Sequence, residues 1–194
     1  MAWPNDAMPV EERICLARSR TQAVVDHYID LVRIHATVQK VFYTDVLSAQ
    51  IPRSRAANAF NCFRESLFKI EIVRLCALWD KPSADRASIP SIFALLNQAT
   101  TDVIVTGVYE RELAKEDQNW ATETAERAQK ELSEARDTGV AIANSDLMVR
   151  LRAHRDKHLA HALTEETLAD KPPPRYGDER KLFDNPSSTH FISG

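Results

Sequence analysis

The sequence is poor in the residues and patterns on which many folds depend. Glycine occurs only 4 times in 194 residues, and no glycine-rich loop is present to bind a nucleotide phosphate. No stretch approaches the roughly 18 consecutive apolar residues of a membrane-spanning helix. Alternating apolar runs between pairs of turn residues, the mark of β-strands, are also missing. These absences exclude a P-loop and an integral membrane protein, and they favour a helical fold.

Cysteine is scarce as well. Cys15, Cys62 and Cys76 are odd in number and widely spaced, which fits neither a disulfide framework nor a structural zinc site. We therefore expect buried, reduced thiols and a cytoplasmic location. The first residues lack a basic segment followed by an apolar run, so the sequence predicts neither export nor contact with a membrane.

The remaining composition is that of a globular protein, with 44% hydrophobic and 27% charged residues. The 25 basic and 28 acidic residues give a formal net charge of −3. No overall positive field is thus available to attract nucleic acid, and any such contact must be local.

Apolar residues recur at spacings of three and four along most of the chain, which predicts helices. We expect a helix from Val10 to about Ser48, with a break near Ser19 and Thr21, and then a central helix over Arg55–Asp80 that is covered on both apolar faces. A short helix over Ser91–Gln98, capped by Ser88, should follow. We expect a long polar helical arm next, and this arm should end before Gly139. The predicted fold is all-α, a bundle of four to five principal helices with this polar helical arm. Residues 1–169 form one domain, followed by an extended, proline-containing C-terminal tail over 170–194.

Small residues line one side of the polar arm. They recur at spacings of three and four, as in the seam between two closely approaching helices; they are Ala121, Ala125, Ala128, Leu132 and Ala135. The partner helix belongs either to the same chain or to a second copy.

The residues most suited to chemistry are concentrated between Ser145 and Thr164, which predicts a helix of about five turns. Half of the six histidines lie in this segment. Its charged and imidazole-bearing residues include Arg152, His154, Arg155, Asp156, His158 and His161.

This segment resembles the HEPN superfamily. The heptapeptide Arg155 to His161 is similar to the signature of that superfamily, an arginine and a polar residue followed after four or five residues by a histidine. The end of the central helix, Leu78-Trp79-Asp80, resembles the leucine-aromatic-aspartate helix end of the abortive-infection, AbiU-like branch.

The resemblance implies a metal-independent endoribonuclease toxin of the abortive-infection or toxin-antitoxin kind, which works as a homodimer without a cofactor. His161 is then the general acid or base and Arg155 the phosphate clamp, with Asp156 orienting the arginine. His158, His154 and Arg152 are expected to support the site or bind substrate. The implied partners are RNA and a nucleotidyltransferase-type antitoxin.

The geometry of an ideal helix does not place the two catalytic candidates together. Arg155 and His161 lie about 120° apart around such a helix and roughly 9 Å apart along it. They can act on one phosphodiester if the arginine side chain curls round, if the helix distorts, or if a second subunit contributes its own pair.

Three other interpretations stay open. The polar residues can form a solvated helix face, with Arg152 and Asp156 as an i,i+4 ion pair. His154, His158 and His161 share one face and can bind a divalent metal if another residue supplies a further ligand. His35 and Glu71 are candidates for that ligand, because they lie on apolar helices and can point inward. The chain can also be a non-catalytic HEPN-like module that binds nucleotide or RNA.

Overall fold

The computed structural model describes residues 8–43, 49, 51, 56–115, 117–157 and 177. These residues form six helices and no strand, which confirms the all-α prediction. The helices are α1 (Val10–Tyr43), α2 (Ala56–Leu78), α3 (Ile89–Leu95), α4 (Gln98–Leu113), α5 (Gln118–Ala143) and α6 (Asp146–Arg155).

Helix α1 is continuous, so the predicted break near Ser19 is wrong. The hydroxyl of Thr21 donates to the carbonyl oxygen of Ala17 at 2.8 Å. A threonine inside a helix makes this bond to the preceding turn, whereas a threonine at a helix start accepts an N–H instead. Thr21 therefore does not cap a second helix.

The described residues fall into two compact units. The first contains the residues up to Val24 and those from Trp79 to Ser145; the second contains those from Val25 to Leu78 and those from Asp146 onward. The prediction of one domain over 1–169 and a tail over 170–194 stays a prediction, because nearly all residues after Lys157 lie outside the described part of the chain.

Side-chain caps define the starts of three helices in the first unit. Ser88, Asn97 and Asp117 each accept the backbone N–H three residues further on, at 3.3, 3.0 and 2.9 Å. Each cap satisfies one of the N–H groups that have no partner inside the helix. The predicted cap of the short helix at Ser88 is thus confirmed.

The predicted polar arm is a pair of antiparallel helices, α4 and α5. Next to their connection, the carboxylate of Glu112 accepts bonds from Lys115 Nζ at 2.8 Å and Trp120 Nε1 at 3.3 Å. The bond from Lys115 is the largest cause of a lowered pKa at Glu112. Ala121 and Ala125 are buried in the α5 seam, so the close partner is α4 of the same chain.

In the second unit, the later part of α1 runs antiparallel to α2, since His35 contacts Glu71 while Phe42 contacts Phe68. Helix α6 packs against α2 as well. The core of this unit contains Leu31, Val38, Ile72, Leu75, Cys76, Met148 and Leu151.

Helix α2 is not covered on both apolar faces, contrary to the prediction. Ile72 and Leu75 are buried, but Phe63, Ile70 and Val73 are 53%, 46% and 40% exposed. Hydrophobic spacing identifies an apolar stripe without showing whether a neighbouring element covers it. The stripe of Phe63, Ile70 and Val73 is named the α2 apolar stripe below.

The expectation of buried thiols is correct only for Cys76. Cys15 and Cys62 are exposed. A position within an apolar-rich helix does not itself decide burial, because the side of the helix on which a residue lies matters equally.

Among the described residues, no single helix is long and apolar enough to cross a membrane. Only α3 and α4 taken together reach the required length and composition, and they are bent by 85° where they meet.

Candidate functional site

Helix α6 places Arg155 on a packed face. Met148 and Leu151 are buried at 0% and 1% exposure, and Arg155 follows them seven and four residues later, hence on the same side of the helix. The Arg155 side chain is 19% exposed. The guanidinium is therefore held beside the core of the second unit instead of extending into solvent.

The adjacent carboxylate positions this guanidinium. Arg155 Nε donates to Asp156 Oδ1 at 2.8 Å, and the Asp156 side chain is 53% exposed. A charge-assisted bond of this length restricts the orientation of the guanidinium plane. The contact expected between the signature arginine and its polar neighbour is thus present in the structure.

Among the described polar residues from Arg150 to Lys157, only Asp156 is exposed. No residue from Leu147 to Arg155 is exposed, and Arg152 and His154 are half-buried. The Nε atom of Arg152 and the Nδ1 atom of His154 are buried. The arginine and histidine side chains of α6 are therefore partly covered by the fold, which is unusual for basic residues on a short helix.

Regular α-helical geometry ends at Arg155. Residues 156–157 form a π-helical turn, a distortion that often accompanies functional sites. Helix distortion was one of the three ways to bring Arg155 and His161 together. His158 and His161 lie outside the described residues, so their distances from Arg155 stay untested.

Within the described chain, no group of three or more His, Cys, Asp or Glu side chains could hold a metal ion. The three-histidine alternative depends on His158 and His161, which this result does not cover. It therefore stays an untested alternative.

The two inward-pointing residues named as possible metal ligands instead bind each other. His35 Nδ1 lies 2.5 Å from Glu71 Oε1, and the Glu71 side chain is fully buried. The other ring nitrogen of His35 lies 3.3 Å from Gln39 Nε2. A buried carboxylate needs such a partner because isolated charge is strongly disfavoured inside a protein.

Sequence reasoning missed the proximity of His27 on α1 to Arg74 on α2. Burial is the main cause of a lowered pKa at His27, followed by the positive charge of Arg74. A hydrogen bond to the backbone of Arg74 and the charge of Asp30 act in the opposite direction. No local signal in the sequence indicated that His27 and Arg74 are neighbours.

The described residues of the second unit include more basic than acidic side chains, although the formal net charge of the whole chain is −3. Among its described residues, nine Lys and Arg side chains stand against six Asp and Glu. The basic ones are Arg33, Lys40, Arg64, Lys69, Arg74, Arg150, Arg152, Arg155 and Lys157. The excess of basic side chains among the described residues thus lies in the unit that contains α6, and an excess of this sign favours contact with nucleic acid.

A groove of about 700 Å³ lies along the α4–α5 pair in the first unit. Tyr109, Gln129, Lys130 and Glu134 are among its lining residues, and the two charged ones form an ion pair at 3.8 Å. None of the predicted site residues that the structure describes, Arg152, His154, Arg155 and Asp156, borders this groove.

Comparison with protein-family models identifies the chain. The model described as AbiU2, of the HEPN group, matches residues 17–185. The protein belongs to the AbiU2 family of HEPN domains. This match covers most of the chain and confirms the resemblance to the abortive-infection branch. Comparisons with curated proteins and with solved structures give no match.

The AbiU-like helix end, Leu78-Trp79-Asp80, has a local structural role in this HEPN protein. Helix α2 ends at Leu78, and Trp79 is buried at 7% exposure. Asp80 pairs with Arg86 at 3.1 Å, and its backbone carbonyl accepts the hydroxyl of Ser88 at 2.9 Å. The motif therefore shapes the loop that leads into α3.

Proposed function

We propose that this AbiU2-family protein is a metal-independent endoribonuclease toxin that acts in abortive infection or in a toxin-antitoxin pair. The observation that carries the proposal is the arrangement of Arg155. Its guanidinium lies beside the core, bonded to Asp156, in a heptapeptide that resembles the HEPN signature. A preorganised guanidinium stabilises charge that develops on a phosphate better than a freely moving one does.

The reaction requires only groups that this chain supplies. His161 takes the proton from an RNA 2′-hydroxyl, whose oxygen then attacks the adjacent phosphorus. The bond from phosphorus to the 5′-oxygen breaks, and that oxygen leaves with a proton supplied by an imidazolium. Arg155 balances the charge of the phosphate oxygens throughout. The products are a 2′,3′-cyclic phosphate and a free 5′-hydroxyl.

A homodimer places two copies of each catalytic group around one cleft. The α2 apolar stripe supports this part of the proposal, because contiguous exposed apolar side chains often mark an interface. The stripe lies in the same unit as α6. RNA is the proposed substrate, and a nucleotidyltransferase-type antitoxin in the cytoplasm is the proposed partner.

Cleavage of labelled single-stranded RNA by the purified protein, with and without excess chelator, tests this function. We expect equal cleavage in both conditions, with a cyclic phosphate on the 5′ product. Arg155→Ala and His161→Ala should each lower kcat by about 10²–10⁴-fold, the usual contribution of such groups.

Lys130→Ala is a suitable control, because Lys130 is an exposed basic residue of the first unit and its loss should leave the rate unchanged. Cleavage that disappears in chelator would favour the metal-dependent alternative. RNA binding without cleavage in either condition would favour the non-catalytic module.

A further inference from the structure

Arg64 is held by aromatic stacking. It lies on α2, half-buried, with its Cζ atom 4.8 Å from the centre of the Phe42 ring. Phe42 is itself packed against Phe68, with ring centres 5.7 Å apart. The guanidinium plane therefore rests on a ring that neighbouring side chains keep in place.

The hydrogen-bonding capacity of Arg64 is unused. In the part of the chain that the structure describes, its guanidinium donates no hydrogen bond and pairs with no carboxylate, and its Nε atom is buried without a partner. Arg20 shows the usual arrangement, since it is buried and donates to the carbonyl oxygens of Ser83 and Ala84. A guanidinium stays charged at any physiological pH, and an enclosed Nε–H without an acceptor leaves Arg64 with charge and donors available to an anion.

The described acidic residues nearest to Arg64 along α2 do not supply an anion. Glu71, two turns further along α2, bonds to His35. Glu65 is exposed and lies about 100° around the helix from Arg64. Charge in this unit is predominantly positive, as described above, so an external anion meets favourable electrostatics at Arg64.

An exposed aromatic ring lies beside the stacked pair. Tyr43 is 43% exposed, and its ring centre lies 6.4 Å from that of Phe42. Arginine that binds phosphate, next to an aromatic face that stacks a base, is the usual combination in proteins that bind single-stranded nucleic acid.

We propose that Arg64, stacked on Phe42 beside Tyr43, is a binding subsite for single-stranded RNA. The guanidinium binds a backbone phosphate through its forked donors, and the Tyr43 ring stacks on an adjacent base. The subsite rests on the proposed ribonuclease function for its biological meaning. It adds a contact with substrate outside the signature helix.

Binding of a fluorescent 12-nucleotide single strand carrying 2′-O-methyl groups tests the subsite. This probe lacks the 2′-hydroxyl that the proposed reaction needs, so binding is measured without cleavage. Arg64→Ala should raise the Kd about 10-fold at low salt and reduce the slope of log K against log salt by about 0.7, the loss of one phosphate contact. Arg64→Lys should recover part of the affinity, and Tyr43→Leu should raise the Kd by several-fold.

Arg33→Ala is the matched control. Arg33 is a 76% exposed arginine in the same unit, ion-paired with Asp30, and its loss should change the Kd less than two-fold. Thermal melting of each variant checks folding. If Arg64→Ala does not fold, the Kd of Arg64→Lys, which preserves the positive charge, is compared with the Kd of the wild-type protein instead.

The outcomes separate the subsite from the ribonuclease. Unchanged affinity in Arg64→Ala, equal effects of Arg64→Ala and Arg33→Ala, or no binding by the wild-type protein would each overturn the subsite. If Arg64→Ala weakens binding while wild-type protein leaves unmodified RNA intact, the subsite stands and the proposed ribonuclease fails.

Discussion

At the scale of single residues, His27 shows how the fold changes the chemistry of a side chain. Its Nε2 atom is buried and has no hydrogen-bond partner among the described residues. Burial and the nearby charge of Arg74 both disfavour the imidazolium, which lowers the pKa of His27 below its ordinary 6.5. In the unfolded chain the same imidazole regains water on all sides.

We expect this difference to make stability depend on pH. As the pH falls below 6.5, the unfolded chain takes up a proton at His27 while the folded protein does not, so the free energy of unfolding decreases. The decrease ends once the pH falls below the folded-state pKa. In His27→Gln this contribution to the pH dependence should be lost.

NMR titration of the His27 ring protons measures the effect directly. The midpoint should lie below 6.5, and Arg74→Gln should raise it by removing a positive charge. Lys69→Gln, which removes an exposed charge from the same helix, serves as the control. If the titration midpoint is the same in Arg74→Gln as in the wild-type protein, the charge of Arg74 does not affect the pKa of His27.

At the scale of secondary-structure elements, Gly139 shows what a sequence pattern can miss. Glycine often ends a helix, and on that basis the arm was predicted to end there. The structure continues α5 to Ala143. Gly139 is buried, and a Cβ atom at this position would overlap the ring of Phe93 on α3. The glycine allows two helices to approach closely.

Two glycine-to-alanine variants within helices of the same unit should therefore have opposite effects. Gly139→Ala should lower the free energy of unfolding by about 1–3 kcal/mol, because the added methyl group overpacks the contact with Phe93. Gly107→Ala should raise it by about 1 kcal/mol, because Gly107 lies inside α4 with nothing within 4 Å of an added Cβ and alanine is the better helix former.

Urea unfolding followed by circular dichroism measures both changes. If Gly139→Ala were as stable as Gly107→Ala, the close approach of Phe93 would not be present in solution.

At the scale of the whole molecule, charge and exposed apolar surface are distributed unevenly. The described residues of the first unit contain thirteen acidic and ten basic side chains, whereas basic side chains predominate in the second. The second unit also contains the α2 apolar stripe. The second unit thus contains both the excess of basic side chains that binding to RNA would need and the apolar stripe that binding to a second copy would need.

If the α2 apolar stripe mediates dimerisation, one charge within it should separate the subunits. We expect Ile70→Asp to raise the dimer dissociation constant about 100-fold, equivalent to about 3 kcal/mol, because the carboxylate would lose water in the interface. Cleavage of RNA should decrease in parallel. Light scattering over a range of concentrations measures the mass.

Val103→Asp provides the comparison. Val103 is 48% exposed, close to the 46% of Ile70, but it lies on α4 in the first unit. This variant should stay dimeric and active. A dimeric Ile70→Asp protein would remove the α2 apolar stripe from the interface.

The sequence by itself predicted the helical class, the cap at Ser88, the alanine seam of α5 and the AbiU-like resemblance. These features depend on local chemistry: side-chain caps act within one turn, and helical periodicity is a property of neighbouring residues. The contact between Arg155 and Asp156 is local in the same sense. Their bond joins adjacent residues.

Only the tertiary structure decided which of these surfaces are covered. The burial of Arg155, the pairing of His35 with Glu71, the stacking of Arg64 on Phe42 and the exposure of Ile70 each depend on contacts between residues far apart in the chain. A hydrophobic period shows that a helix has an apolar side but contains no information about the neighbour that meets it. The partners of a side chain are set when distant helices pack together.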